Sequence, residues 1–124
     1  MSERRILYVE DNEYNRKIVR QLLSRSPCRL MEANDGEAGV ALARSEQPDL
    51  ILMDVQLPKM SGLDATRLLT TEAATRHIPI IVITSYALSG DREKAMQAGA
   101  SNYLAKPYSP SELLAMVKHY LPDL

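Results

Sequence analysis

Two runs of this chain, LILM (50–53) and IIVI (80–83), are apolar at every position. A strand with one wet face alternates apolar and polar residues, so an unbroken run belongs where both faces are covered. Such runs call for a sheet with helices on either side, and the rest of the sequence supplies them. A short apolar run at 6–9 precedes Ile18, Val19, Leu22 and Leu23, set at helical spacing over 12–26 until Pro27 breaks the pattern. Residues 29–33 read as a partly polar second strand. Asn34 and Glu37 then read as the cap and third position of a helix over 34–46, which Pro48 closes. Ser61 and Asp64 open the next helix in the same way, with Leu68 and Leu69 on its apolar side. Pro79 suits the first residue of the fourth strand, and a helix over 89–98 stops at Gly99. Residues 103–105 form a short fifth strand, and Ser109, Pro110 and Glu112 start the last helix.

Five strands thus alternate with five helices, and the two most polar strands are the second and the fifth. A parallel sheet in the order 2-1-3-4-5 puts those two at the edges, which is the α/β, flavodoxin-like, three-layer (βα)5 arrangement. The chain has 124 residues, enough for one core, and no linker, repeat or low-complexity stretch divides it, so 1–124 reads as a single domain. Fifteen basic against sixteen acidic residues give a net charge of -1, without the basic excess that nucleic-acid binding requires. No apolar stretch has membrane-spanning length, and the N-terminal MSERR passes straight into a strand pattern rather than a signal sequence. The single cysteine, Cys28, excludes an internal disulfide and reads as a small buried hydrophobe. The expectation is a cytoplasmic protein with neither nucleic acid nor membrane as partner.

The central strands end in acids. The first runs into Glu10 and Asp11, and the third into Asp54. In this architecture ligands bind beyond the carboxyl ends of the strands, where the strand order reverses, between the first and third. The fold therefore gathers three carboxylates in one cleft. Packed acids raise one another's pKa unless a cation compensates, and a hard ion with oxygen ligands, Mg²⁺, suits such a site. The fourth strand contributes the hydroxyls of Thr84 and Ser85 to the same rim, and the fifth contributes Lys106. Acids for a metal, a hydroxyl and a fixed ammonium are together what a phosphoryl group needs. No Gly-rich nucleotide loop is present, so the phosphoryl group is expected to end on the protein itself, with Asp54 as acceptor.

The chain resembles the receiver domains of bacterial two-component response regulators. The resemblance rests on VEDN (9–12), DLILMDVQLPKMSGLD (49–64), IPIIVITS (78–85) and AGASNYLAKP (98–107), in that order on those elements. It is nearest to freestanding receivers and to the receiver modules of hybrid histidine kinases. The resemblance implies that Asp54 is the phospho-accepting aspartate, and that Asp11 and Glu10 are the acidic pair holding Mg²⁺. Asp54 itself and the backbone carbonyl of Gln56 would complete the protein ligands. Glu10 stands where Asp is commoner, which implies a water-mediated role. Thr84 matches the switch hydroxyl, Lys106 the phosphoryl-binding lysine, and Tyr103 the aromatic that swings inward when the threonine moves. The Lys106–Pro107 bond would be cis. Gln56 and Tyr86, each two residues past a site residue, match positions that tune phosphate lifetime.

The implied partners are a histidine kinase or histidine phosphotransfer protein as donor and a downstream protein as target. The first helix, with Tyr14 and Arg16 near its start, is the expected docking surface. The output face is expected around Lys94, Tyr103 and Met116. Such a chain catalyses its own phosphorylation and dephosphorylation and is not a conventional multiple-turnover enzyme. Three other readings stay open. A metal-dependent phosphatase would carry a general acid at position 56, where this chain has Gln56. A flavin binder would want a small-residue phosphate loop where this chain has EDNEYN (10–15). A degenerate receiver would lack one of the key positions, all of which are filled.

Overall fold

Strand β1 (Arg4–Val9) leads into helix α1 (Glu13–Leu23), and the unit repeats through β2 (Cys28–Ala33), α2 (Gly36–Glu46), β3 (Leu50–Asp54), α3 (Gly62–Thr71), β4 (Ile80–Thr84), α4 (Asp91–Gln97), β5 (Asn102–Ala105) and α5 (Pro110–Tyr120). This computed structural model describes residues 3–85 and 90–124. All strands join one parallel sheet in the order β2-β1-β3-β4-β5, with the two polar strands at its edges as expected. Among the described residues no helix is long and apolar enough to cross a membrane.

Alternation along the strands sorts their side chains into two cores. Ile6, Tyr8, Leu50, Leu52, Ile81 and Ile83 lie with Val19 and Leu23 of α1 and Leu113 and Val117 of α5. Leu7, Val9, Ile51, Met53, Ile80 and Val82 lie with Val40 of α2, Leu69 of α3 and Ala95 of α4. Both sets are fully buried, which is why β1, β3 and β4 show no polar alternation. The same parity decides what emerges at the carboxyl ends. Positions 10, 54 and 106 continue the face that carries α1 and α5, whereas Thr84 and Tyr103 continue the opposite one.

Several helix ends follow the sequence directly. Ser61 Oγ accepts from the Asp64 amide at 3.1 Å, and Ser109 with Glu112 closes a full capping box behind Pro110. Gly99 takes the left-handed conformation, φ 100°, as a helix stop should. The start of α2 differs from expectation. Its cap is Asp35, not Asn34, and Asp35 Oδ1 accepts from the Ala38 amide at 2.7 Å. Gly36 becomes the first helical residue because it abuts the loop after β3, where a Cβ would come within 2.2 Å of the Met60 carbonyl oxygen. Glu37 then falls one position too early to close a box. The apolar stripes are also narrower than the spacing suggested. Leu68 is 37% exposed and Ile18 36%, while their neighbours Leu69 and Val19 are buried. The expected helix start at Ser89 lies outside the described residues; Gly90 caps α4.

Candidate functional site

Three strand ends meet at one rim. The register pairs Val9 with Met53 and Asp54 with Ile83, so β1, β3 and β4 end level. Carboxylate oxygens of Glu10, Asp11 and Asp54 lie within 4.8 Å of one another. Asp11 is exposed, but Glu10 is 1% exposed and Asp54 5%. Two buried carboxylates side by side are costly unless cations and donors compensate them. Lys106, delivered by β5, does so in part. Its Nζ lies 2.8 Å from Glu10 Oε1 and 3.2 Å from Asp54 Oδ2. Backbone amides help as well: Asn12 N donates to Glu10 Oε2 at 3.2 Å and Gln56 N to Asp54 Oδ1 at 3.3 Å.

The charge balance is uneven between the two acids. Burial and the neighbouring Glu10 push Asp54 up to about 7, against the pull of Lys106. Burial also works to raise Glu10, yet hydrogen bonding with Asp54 and Lys106 brings it down to about 2. The two carboxyl groups therefore titrate as one unit, with Asp54 raised and Glu10 lowered. Lys106 is itself buried enough to disfavour its charge, but Glu10 and Asp54 outweigh that and raise its pKa. One ammonium among three clustered acids leaves negative charge uncompensated. An all-oxygen set of this kind fits a hard divalent cation such as Mg²⁺.

Other candidate residues fall where their strands put them. Thr84 ends β4, buried, and its carbonyl accepts from the Lys106 amide at 2.7 Å. Tyr103 is half-buried on β5 opposite Val82, packed against the core beneath α4. Tyr103 thus continues the face of the sheet opposite Glu10, Asp54 and Lys106, whereas Thr84, the last residue of β4, reaches the rim they share. Gln56 is exposed and its Oε1 accepts from Ser85 Oγ at 3.4 Å. The Lys106–Pro107 peptide is cis. Tyr86 lies outside the described residues.

Arg16, expected at a docking surface, is instead turned inward. Its Nη1 donates to the Glu10 carbonyl at 2.7 Å, and the guanidinium pairs with Glu13 and Glu32. It braces the loop that carries the acids. The surface that α1 does offer is a groove of about 440 Å³ lined by Asn15, Ile18, Ser85, Lys106, Pro107 and Tyr108, with Tyr14 71% exposed on the same helix. Two residues of the site escaped the sequence reading. Tyr8 OH reaches Glu10 Oε1 at 3.3 Å and Asn15 Nδ2 reaches the same oxygen at 3.2 Å. The available signal was Tyr8 itself, a hydroxyl inside an apolar strand, two positions before the glutamate and on its face.

The model of the response regulator receiver domain matches residues 6–118. The polar-differentiation response regulator DivK of Brucella anthropi is 42% identical over 118 residues, covering 95% of this chain and 96% of its own. The receiver domain of a sensor histidine kinase from Pseudomonas aeruginosa PAO1, solved with a magnesium ion coordinated in its active-site cleft, superposes with a TM-score of 0.89 at 37% identity, over 98% of this chain and 99% of that one. A CheY-like receiver domain protein from Methanospirillum hungatei JF-1 gives 0.90 at 28% identity, covering 98% and 96%. With a parallel sheet in this order, an acidic cluster at its reversal point and a family match across nearly the whole chain, the protein belongs to the response regulator receiver domains.

Proposed function

We propose that Asp54 accepts a phosphoryl group from a phosphohistidine on a histidine kinase or histidine phosphotransfer protein. In this reading Asp11, Asp54 and the Gln56 carbonyl hold Mg²⁺, with Glu10 contributing through water. The observation that carries it is the Lys106 ammonium spanning two buried carboxylates at the strand ends. The magnesium-bearing receiver of the Pseudomonas kinase supports the choice of ion.

An Asp54 oxygen bonds to phosphorus as the donor's P–N bond breaks. The electron pair goes to the imidazole, and the proton already on its other nitrogen leaves that ring neutral. Bound Mg²⁺ supplies neutralising charge for the phosphoryl oxygens. Lys106 turns from the acids to the phosphoryl group and Thr84 donates its hydroxyl to another oxygen. Those new contacts favour a state with Tyr103 drawn inward, and a downstream protein reads the face around Lys94, Tyr103 and Met116. The same groups govern hydrolysis of the aspartyl phosphate, so the chain catalyses both its phosphorylation and its dephosphorylation. Gln56 and Tyr86, two residues past Asp54 and Thr84 in the sequence, tune the rate of that hydrolysis. The donor seats against the α1 groove, on Tyr14, Ile18 and Tyr108.

Intact-protein mass after incubation with acetyl phosphate and Mg²⁺ tests this. One phosphoryl group is expected on the wild type with metal and none on Asp54→Asn. An adduct on Asp54→Asn, or none on the wild type with either acetyl phosphate or a phosphohistidine donor, overturns the assignment.

The raised Asp54 pKa gives a second expectation. Its proton must leave before the carboxylate can bind metal, so Mg²⁺ affinity should fall up to about tenfold per unit as pH drops below about 7 and level off above it. Calorimetric titration across that range measures it. A flat profile would remove Asp54 from the ligands.

A further inference from the structure

Tyr8 has no solvent exposure and lies in the core beneath α1 and α5. A phenylalanine would fill that space as well, and a buried phenol is costly unless its hydroxyl is bonded. The hydroxyl donates to Glu10 Oε1 at 3.3 Å, beside Asn15 Nδ2 at 3.2 Å and Lys106 Nζ at 2.8 Å. Oε2 takes the Asn12 amide at 3.2 Å. Three side-chain donors thus converge on one oxygen of Glu10 and fix how its carboxylate sits. Glutamate is one methylene longer than aspartate, and without such anchoring its carboxylate would sample several rotamers at the strand end. If Lys106 turns to a phosphoryl group, Oε1 loses its shortest bond. Tyr8 and Asn15 are then what still hold it.

We propose that Tyr8 is a positioning residue for the acidic cluster, its buried hydroxyl fixing the Glu10 carboxylate in the orientation the cation site needs. Tyr8 and Glu10 act as a matched pair: the longer acid is usable here because a phenol two residues earlier anchors it. This rests on the Mg²⁺ reading of the cluster.

The test is a double-mutant cycle on the full chain, with the Mg²⁺ dissociation constant read by calorimetry. Tyr8→Phe is expected to weaken binding about fivefold, less than the roughly tenfold cost of losing a hydrogen bond to a direct ligand, because Glu10 acts through water. In the Glu10→Asp background the same change is expected to shift binding less than about twofold, because the shorter carboxylate ends beyond the phenol's reach. Equal losses in both backgrounds, or wild-type affinity in Tyr8→Phe, overturn the positioning role while leaving the metal site standing. A wild type that binds no Mg²⁺ overturns the metal site and this inference with it. A second readout leaves Tyr8 in place. Mg²⁺ addition should produce a tyrosine difference signal in the near ultraviolet that is lost in Glu10→Asp, and an undiminished signal there refutes the contact.

Discussion

Lys106→Met is expected to cost the metal-free protein about 2–4 kcal/mol near pH 8, and roughly half of that near pH 6. Saturating Mg²⁺ should recover most of the loss. Lys106 is the ammonium between Glu10 and Asp54, and both acids are almost wholly buried. Methionine keeps the length and apolar bulk of the side chain but leaves two carboxylates facing each other. At lower pH Asp54 is protonated and one charge remains, so the penalty shrinks. The sign follows from Asp54 being raised from 3.8 to about 7. An acid raised in the folded state holds a proton that the unfolded chain has released, so its contribution to stability declines as pH climbs from its unfolded value to its folded one. Removing Lys106 lifts the folded value further and carries the decline to higher pH. Urea unfolding of both proteins at the two pH values, with and without Mg²⁺, measures this. An equal loss at both would make Lys106 a packing element, and no recovery with Mg²⁺ would count against a cation site in the cluster.

Gly62→Ala should be nearly as damaging, although helix propensity favours alanine at that position. Gly62 is the first residue of α3, and its amide donates to the Val55 carbonyl at 2.8 Å. A Cβ there would lie 1.8 Å from the Asp54 carbonyl oxygen and 2.9 Å from Val55 Cα. Backbone must move, and it is the backbone that carries the phospho-accepting residue in our reading. The expected cost is about 3 kcal/mol, at the upper end for overpacking. A fall of about a hundredfold in the rate of adduct formation is expected too, since a displacement of ~1 Å suffices for that. Gly90→Ala is the control. Gly90 has φ 95°, yet a Cβ there meets nothing within 4 Å among the described residues. It should cost about 1–2 kcal/mol for the left-handed backbone alone. Similar losses at both positions would mean that steric contact at Gly62 is not what matters.

Much of this molecule was legible along the chain because the relevant signals are local. A run that is apolar at every position must be covered on both faces, which made β3 and β4 central and left β2 and β5 for the edges. Ser61, Gly99 and Ser109 marked helix ends through hydrogen bonds and dihedrals that span a few residues. The acids, hydroxyls and lysine that follow the strands were visible as strand ends, and a strand end in a parallel sheet has a known place. Asp35 displaced Asn34 as a cap because Gly36 packs against Met60, a contact across more than twenty positions that no capping pattern records. Leu68 and Ile18 carried apolar spacing but lie at the margin of their stripes, partly exposed to solvent.

The sequence by itself determined the class of fold, the strand order and which residues reach the carboxyl-terminal rim, since periodicity and polarity are properties of consecutive positions. The tertiary structure alone decided how those residues are partnered. Glu10 and Lys106 are 96 positions apart, and Asp54 and Lys106 are 52. Arg16 gave its guanidinium to the Glu10 carbonyl and to Glu32, not to a partner surface. Tyr8 found Glu10 because both continue one face of β1, but its bond matters because Lys106 and Asn15 converge on the same oxygen. Which donor meets which acid is set by how strands lie side by side and how α1 and α5 close over them. That geometry exists only once the sheet has formed.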